Sequence, residues 1–186
     1  MKIKNLIPTL TFALVVLFHT NAFAQDTKMV GGAEMYPTKD IVSNAVNSKD
    51  HTTLVAAVKA AGLVETLQGD GPFTVFAPTN SAFEKLPEGT VSTLLKKENK
   101  EKLQAVLTYH VLAGKYNAKA IAKAIKKSDG KAVFTTVNGS ELTAMMDGDN
   151  IVLKDTSGNT STVTIADVNQ SNGVIHVVDT VVIPKM

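Results

Sequence analysis

The sequence predicts an α+β fold with a largely antiparallel system of β-sheets, on three observations. From Thr38 onward, the first half of the chain has apolar residues at the three- and four-residue spacing of helices. One short apolar run, at residues 73–77, interrupts this half. From Ala132 the apolar period changes to two, and turn sequences follow at short intervals. Because helices and strands are segregated along the chain rather than alternating, we do not expect a parallel βαβ sheet.

The first 24 residues have the pattern of a cleaved signal peptide. Lys2 and Lys4 form a positive start, residues 6–18 are an apolar core, and residues 22–24 (Ala-Phe-Ala) are a small-residue cleavage site. The apolar core is too short for a membrane-spanning helix, and we expect no membrane span. We therefore predict cleavage between Ala24 and Gln25 and export to the periplasm or the medium.

The composition of the mature chain narrows the classes of function. The 162 residues after position 24 are enough for one domain with a hydrophobic core, and the loss of two lysines leaves 17 Lys against 17 acidic residues. The chain has no Arg, the side chain that most often reads bases, so we expect no nucleic-acid partner. It has no Cys and no Trp, which argues against disulfides, thiol catalysis and aromatic sugar platforms. We expect a monomer without a cofactor or metal.

The N-terminal elements follow from caps and stop signals. Residues 25–37 are predicted to be a flexible leader, and the folded domain is predicted to span residues 38–186. Thr38 is placed to cap a first helix. Thr52 or Thr53 can cap the next helix, which Gly62 ends. A further helical turn follows.

A strand, a corner and a helix are predicted from Phe73 to Phe83. The run at 73–77 is apolar on both faces apart from Thr74, which is typical of a strand buried on both sides. Pro78 has no N–H and ends the strand. Ser81 and Glu84 are spaced as a capping box, and Thr79 and Asn80 are alternative caps. Phe76 and Phe83 can fix this corner to a core.

The remaining elements are predicted from the change of period. The helices are expected at about residues 82–86, 91–97, 101–108 and 118–127, the last capped by Asn117, with an extended segment at 109–112. Asn138-Gly139 predicts a hairpin. The strands are expected at residues 132–137, 141–146, 151–154, 160–168 and 174–183.

Three motifs in this order resemble the fasciclin (FAS1) domain family over about residues 38–184. The first has the form T-V-F-A-P-T-N-x-A-F, the second is Tyr-His, and the third is N-G-V-I-H-V-V-D-x-V-V-I-P. Their motif residues here are Thr74, Phe76, Pro78, Thr79, Asn80 and Phe83, then Tyr109 and His110, then Asn172, Gly173, His176, Asp179 and Pro184. The chain looks most like the single-domain secreted bacterial members.

The resemblance implies a wedge or sandwich of two mostly antiparallel sheets surrounded by helices, and a non-enzymatic role in adhesion. The expected partner is a cell-surface or matrix protein or polysaccharide. In animal relatives the Tyr-His motif is tied to integrin-type adhesion, which marks Tyr109 and His110 as candidate binding residues. The alternative is that His110 is buried and hydrogen-bonds the polar corner at Thr79 and Asn80. Many family members have Asp at the position of Asn80, so a His–carboxylate pair is weakened here.

A second candidate surface is a lysine face on the helix at residues 118–127. Lys119, Lys123, Lys126 and Lys127 fall at i, i+4, i+7 and i+8 and therefore share one side of the helix. Such a face can attract a polyanion through non-directional, salt-sensitive forces, or it can be a solvated outer face. A further lysine cluster is offset by Glu98 and Glu101, and its members are Lys96, Lys97, Lys100 and Lys102.

Other functional readings find less support in the residues. His176 and Asp179 are three apart, so in a regular strand they face opposite sides and form no dyad. No G-x-S-x-G elbow is present, and the histidines have no metal-site spacing. Residues 147–150 (Asp-Gly-Asp-Asn) are either a weak Ca²⁺ site or a solvated turn. The alternative function is a periplasmic or extracellular protein that binds a glycan or small ligand between the sheet and the helices.

Overall fold

The computed structural model describes residues 27–185, and the chain is an α+β domain over this range. The predicted signal peptide and its cleavage site lie outside the described residues. The strands are β1 (Lys28–Val30), β2 (Ala33–Met35), β3 (Phe73–Pro78), β4 (Val111–Ala113), β5 (Lys131–Thr135), β6 (Glu141–Asp147), β7 (Asn150–Lys154), β8 (Thr160–Gln170) and β9 (Gly173–Val178). The α-helices are α1 (Ile41–Ala45), α2 (Thr52–Ala61), α3 (Val64–Gln68), α4 (Asn80–Glu84), α5 (Thr90–Leu94), α6 (Lys100–Tyr109) and α7 (Ala118–Lys127).

A seven-stranded sheet in the order β4-β3-β9-β8-β7-β6-β5 is the centre of the fold. Neighbouring strands within this sheet are antiparallel, except that β3 and β9 run parallel. The register of β3 and β9 pairs Phe73 with Gly173 through to Pro78 with Val178. The N–H of Val137, just past β5, donates to the carbonyl of Val111 in β4 over 2.8 Å. This bond brings the two edge strands together, and the sheet is therefore barrel-like.

The second sheet is a hairpin of β1 and β2 at residues 28–35, where the sequence predicts a flexible leader. Val30 and Met35 are each 3% exposed and belong to the hydrophobic core, so burial of one face holds these short strands in place. Gly31 and Gly32 have φ of 57° and 73°, a left-handed turn that glycine adopts without strain.

The helix ends show which caps the chain uses. Asn117 caps α7 and Gly62, with φ of 72°, ends α2, both as predicted. The predicted cap Thr38 is wrong, because Asp40 accepts the Ser43 N–H at 2.9 Å. Of the candidate caps for α4, the structure uses the alternative Thr79 and not Ser81, since Thr79 Oγ1 accepts the Ala82 N–H at 3.3 Å.

Several strand and helix bounds also differ from the predicted ones, two of them in the motif segments. Tyr109 is the last residue of α6 rather than part of an extended segment, and the strand begins at Val111. The last strand ends at Val178 instead of continuing to Ile183.

Two hydrophobic clusters form the core, one on each side of the central strands. The first lies under α1, α2, α3 and α6, and the second lies between the sheet and α7. Phe76 belongs to the second cluster, is 1% exposed and stacks on the ring of His176 with centroids 5.6 Å apart. Phe83 belongs to the first cluster, as expected for residues that fix the corner at Pro78.

We predict that Phe76→Ala lowers the free energy of unfolding by roughly 3–5 kcal/mol, because a large buried ring is removed from a site with little room to collapse. Urea unfolding followed by circular dichroism measures the loss. Val133→Ala is the control, since Val133 is 56% exposed and its truncation is expected to change stability by less than about 0.5 kcal/mol. A near-neutral Phe76→Ala would show that this strand is not the core of the domain.

Candidate functional site

His110 follows the C-terminal end of α6 and is bonded to main-chain groups on both ring nitrogens. Nδ1 donates to the carbonyl of Val106 over 2.8 Å, and Nε2 accepts the N–H of Val182 over 3.2 Å. Because a carbonyl only accepts and an N–H only donates, these partners require a neutral imidazole with its proton on Nδ1. The ring therefore ties α6 to the C-terminal segment.

Burial also favours the neutral form of His110. The side chain is 2% exposed, and loss of solvation lowers its pKa from the ordinary 6.5 to about 4, against a smaller raising effect of the bond to Val106. His110 is thus neutral at pH 7. Its partners are not the polar groups of Thr79 and Asn80, which the sequence suggested.

Tyr109 points into the second core cluster. It is fully buried, and its hydroxyl donates to the carbonyl of Glu141 in β6 over 2.7 Å. A partner at the surface cannot touch Tyr109 or His110 while the domain is folded. Burial does not fit the expectation that these two side chains form a contact surface, and it supports the structural alternative.

His176 and Asp179 have separate partners and form no dyad. His176 Nδ1 accepts the Asp167 N–H over 3.3 Å, and Nε2 donates to the Tyr116 carbonyl over 2.8 Å. Burial lowers its pKa as well, which keeps the ring neutral.

Asp179 lies at the surface end of β9, where its Oδ1 accepts the Thr162 N–H over 2.8 Å and its Oδ2 pairs with Lys85 over 3.2 Å. Partial burial alone would raise the pKa of Asp179. The bonds from Thr162, Lys85 and Thr180 outweigh that effect and lower it.

Asn172 and Gly173 fix the start of β9 to β3 and to the helices α1 and α3. The Asn172 side chain accepts the Ile41 N–H over 3.0 Å and donates to the carbonyls of Leu67 and Gly69, at 2.8 and 2.9 Å. At Gly173 a Cβ would lie 2.1 Å from the carbonyl oxygen of Phe73. Only glycine fits where two backbones approach so closely.

The corner after β3 holds the start of α2. Asn80 Oδ1 accepts the Thr53 N–H over 3.0 Å, and Asn80 Nδ2 donates to the Lys49 carbonyl over 2.9 Å. Neither Thr52 nor Thr53 caps α2, because this side chain from a distant part of the chain does so. The remaining motif residues are also structural, since Thr74 hydrogen-bonds Gly114 and Tyr116, and both Pro78 and Pro184 are buried.

The lysine face lies on the solvent side of α7. Lys119, Lys123, Lys126 and Lys127 are all exposed on α7, while Ile121 and Ile125 on the opposite side are at most 1% exposed. Within residues 27–185 the only ion pair joins Lys85 and Asp179, so no carboxylate neutralises these four lysines.

An apolar cavity of about 70 Å³ lies between the first three α-helices and the sheet, where the alternative function placed a ligand pocket, but the sequence did not predict its residues. Its walls come from separate segments, among them Leu54 and Val58 of α2, Leu67 of α3, Val75 of β3 and Ile175 of β9. No sequence period marks such a space, because it depends on how well these side chains fill the gap between two layers.

Neither a metal-binding cluster nor a membrane-spanning helix is found in the described part of the chain. His51 has its Nδ1 2.8 Å from Ser48 Oγ, and residues 27–185 contain no cluster of His, Asp or Glu able to hold a metal ion. In the same range none of the helices has the length and apolar character needed to cross a bilayer.

The chain is similar to proteins of one family. A model of the Fasciclin domain matches residues 49–184. Protein sll1483 of Synechocystis sp. is 47% identical over 147 residues, which cover 78% of this chain and 74% of that protein. The cell surface glycolipoprotein MPB83 of Mycobacterium bovis is 33% identical over 149 residues, or 77% of this chain and 60% of that protein.

A solved structure shares the fold. A FAS1 domain pair from the insect cell adhesion molecule Fasciclin I superposes with a TM-score of 0.68 at 17% sequence identity. The match covers 78% of this chain and 51% of the pair, so the chain spans about half the length of that structure.

The protonation of His110 predicts acid sensitivity. An unfolded chain takes up this proton near pH 6.5, whereas the folded domain takes it up near pH 4. The contribution of His110 is therefore complete above pH 6.5 and is lost as the pH falls from 6.5 to 4, by about 3 kcal/mol in total.

Urea unfolding at a series of pH values tests this, with His110→Gln as the comparison because glutamine does not titrate. We expect the variant to be less stable at pH 7, by roughly 1–3 kcal/mol, and to lose less stability than the wild type between pH 6.5 and 4. His51 and His176 titrate in both proteins and cancel in the difference. Equal pH dependence in the two proteins would contradict the assignment.

Proposed function

The chain belongs to the Fasciclin domain family, and from this we propose that it is an exported, non-enzymatic module that attaches to an anionic polysaccharide at the cell surface or in the surrounding matrix. The lysine face of α7, formed by Lys119, Lys123, Lys126 and Lys127, is the observation that carries the proposal. It is a concentrated positive surface on a mature chain whose 17 lysines and 17 acidic residues balance overall.

The lysine face is held rigidly. Asn117 caps α7 by accepting the Ala120 N–H over 2.8 Å, and Asp167 accepts the Ala118 N–H over 2.7 Å. The 10 residues of α7 carry four lysines and no acidic residue, along a length of about 15 Å. A lysine ammonium is a compact point charge without the planar fork of arginine, so it suits non-directional attraction to a repeating polyanion.

The titratable groups of the motifs support a binding role over a catalytic one. His110 and His176 are buried, neutral and bonded at both nitrogens to main-chain groups. A general base must be within reach of a substrate proton, and neither ring has a free nitrogen facing an open site.

The relatives support a location outside the cytoplasm. MPB83 is a cell surface glycolipoprotein by name, and the solved FAS1 pair comes from a cell adhesion molecule. Export of the present chain is consistent with its first 24 residues, which have the pattern of a signal peptide.

The alternative of a glycan-binding pocket fits the cavity poorly. Its lining residues are nearly all apolar, with Thr66, His110 and Lys59 as the polar exceptions. Sugar hydroxyls transferred into such walls would lose hydrogen bonds to water without replacement. Anionic sugars are better accommodated on the exposed lysine face.

Replacing the four lysines of the lysine face by glutamine tests the proposal. Binding of the purified protein to immobilised alginate, a polyuronate, is measured at low and high salt with neutral dextran as the reference. Exposed ion pairs contribute about 0.2–1 kcal/mol each, so we expect the variant to bind alginate roughly tenfold or more weakly at low salt. We also expect wild-type binding to weaken as salt increases.

A matched variant controls for net charge. Lys96, Lys97, Lys100 and Lys102 are also exposed, and their replacement by glutamine removes the same four charges from another surface. We expect this variant to retain most of the alginate binding. Equal losses in the two variants, or wild-type binding to alginate no tighter than to dextran, would refute a role for the lysine face.

A further inference from the structure

The cavity beneath α1, α2 and α3, which we call the helical cavity, is not used by the proposed surface function. Its volume is about 70 Å³, and it is bounded by Leu54, Val58, Leu67, Val75 and Ile175. Protein interiors have few voids larger than a water molecule, and wall atoms around a void lose dispersion contacts. A space of this size between two packed layers is therefore a candidate site for an apolar group.

The rim of the helical cavity adds one charge to the apolar walls. Val55, Leu63 and Val64 are half-buried at the rim, and Lys59 is exposed there. Lys59 is the only charged residue among the described residues that line the cavity, and its ammonium has no ion-pair partner within residues 27–185. The chemistry therefore changes from apolar inside to cationic at the mouth.

We propose that the helical cavity binds the alkyl chain of a single-chain anionic amphiphile, a molecule of the fatty-acid class. The end of the chain lies among Leu54, Val58 and Ile175, and the acid group meets the ammonium of Lys59 at the rim. An uncharged chain would gain the same burial but not the ion pair. A cationic head group would be repelled by Lys59.

The volume sets how much chain is enclosed. An engineered apolar cavity of about 150 Å³ stays dry and binds benzene, so a cavity half as large encloses only a short end of a chain. The following carbons then cover the half-buried side chains of Val55, Leu63 and Val64. A second apolar cavity of about 80 Å³ lies beyond Leu107 and His110, which line both spaces.

This site is independent of the lysine face. Most of the side chains that line the helical cavity belong to the first core cluster, with Phe76 from the second as an exception, whereas α7 packs on the second cluster. Loss of amphiphile binding would leave the polysaccharide proposal standing, and the reverse also holds.

Titration calorimetry of the purified protein with octanoate and with octan-1-ol tests the proposal, because the two probes share a chain length and differ in charge. We expect octanoate to bind at one site, at least fivefold more tightly than octan-1-ol, with a negative heat-capacity change. Lys59→Gln should remove most of this preference and leave octan-1-ol binding unchanged. Lys126→Gln, on the lysine face, is the matched control and should preserve the preference.

Methyl ¹H–¹³C spectra of the wild-type protein locate the site without any substitution. Octanoate should shift signals of Val58, Leu67 and Ile175, and leave those of Ile121 and Leu142 in the second cluster unchanged. The proposal is overturned if octanoate gives no binding up to its solubility limit, if shifts appear only at exposed residues such as Val133, or if Lys59→Gln binds octanoate as tightly as the wild type does.

Discussion

The parallel pairing of β3 and β9 is the constraint on which the rest of the structure depends. It places the first and last motifs side by side, with Phe73 opposite Gly173 and Phe76 opposite His176. The approach is so close that a Cβ at Gly173 would lie 2.1 Å from Phe73 O, and one at Gly71 would lie 2.3 Å from Asn172 O. The two strands are separated by nearly a hundred residues, so the contact is long-range, and both core clusters contain residues of this pair of strands.

Polar side chains then fix the other elements to this pair of strands. Asn172 bonds α1 and the end of α3, Asn80 bonds the start of α2, and His110 bonds α6 to the C-terminal segment. Asn172 and His110 are buried, so removing either side chain would leave buried donors or acceptors unsatisfied, whereas Asn80 is half-buried. The motif residues that suggest a binding or catalytic site in the sequence therefore stabilise contacts between segments of the fold.

This explains which features could be predicted from the sequence. Local signals were sufficient for the Asn117 cap, the Gly62 stop, the Asn138-Gly139 hairpin and the α+β class, because each depends on a few neighbouring residues. The cap of α2 by Asn80 and the partners of His110 come from distant segments, which no local pattern contains. The β1–β2 hairpin could not be predicted, because a three-residue strand is too short to show an alternating pattern of apolar residues. The burial of Val30 and Met35 in the structure explains why the hairpin forms. The overall arrangement of sheets and helices was predicted from the resemblance to FAS1 domains. The family match and the solved structure confirm this resemblance.

Because most of the motif residues are buried, we expect differences in function between chains of this fold to arise from the side chains on the surface. The lysine face and the rim of the helical cavity consist of side chains that can change without disturbing β3, β9 or their joints. They also respond to different conditions. Salt screens the exposed charges of α7 over about 10 Å at 0.1 M, whereas burial of an alkyl chain is not weakened by screening. The two proposed sites therefore differ in their response to salt, since the attachment through α7 is screened as a whole, whereas at the helical cavity salt screens only the ion pair with Lys59.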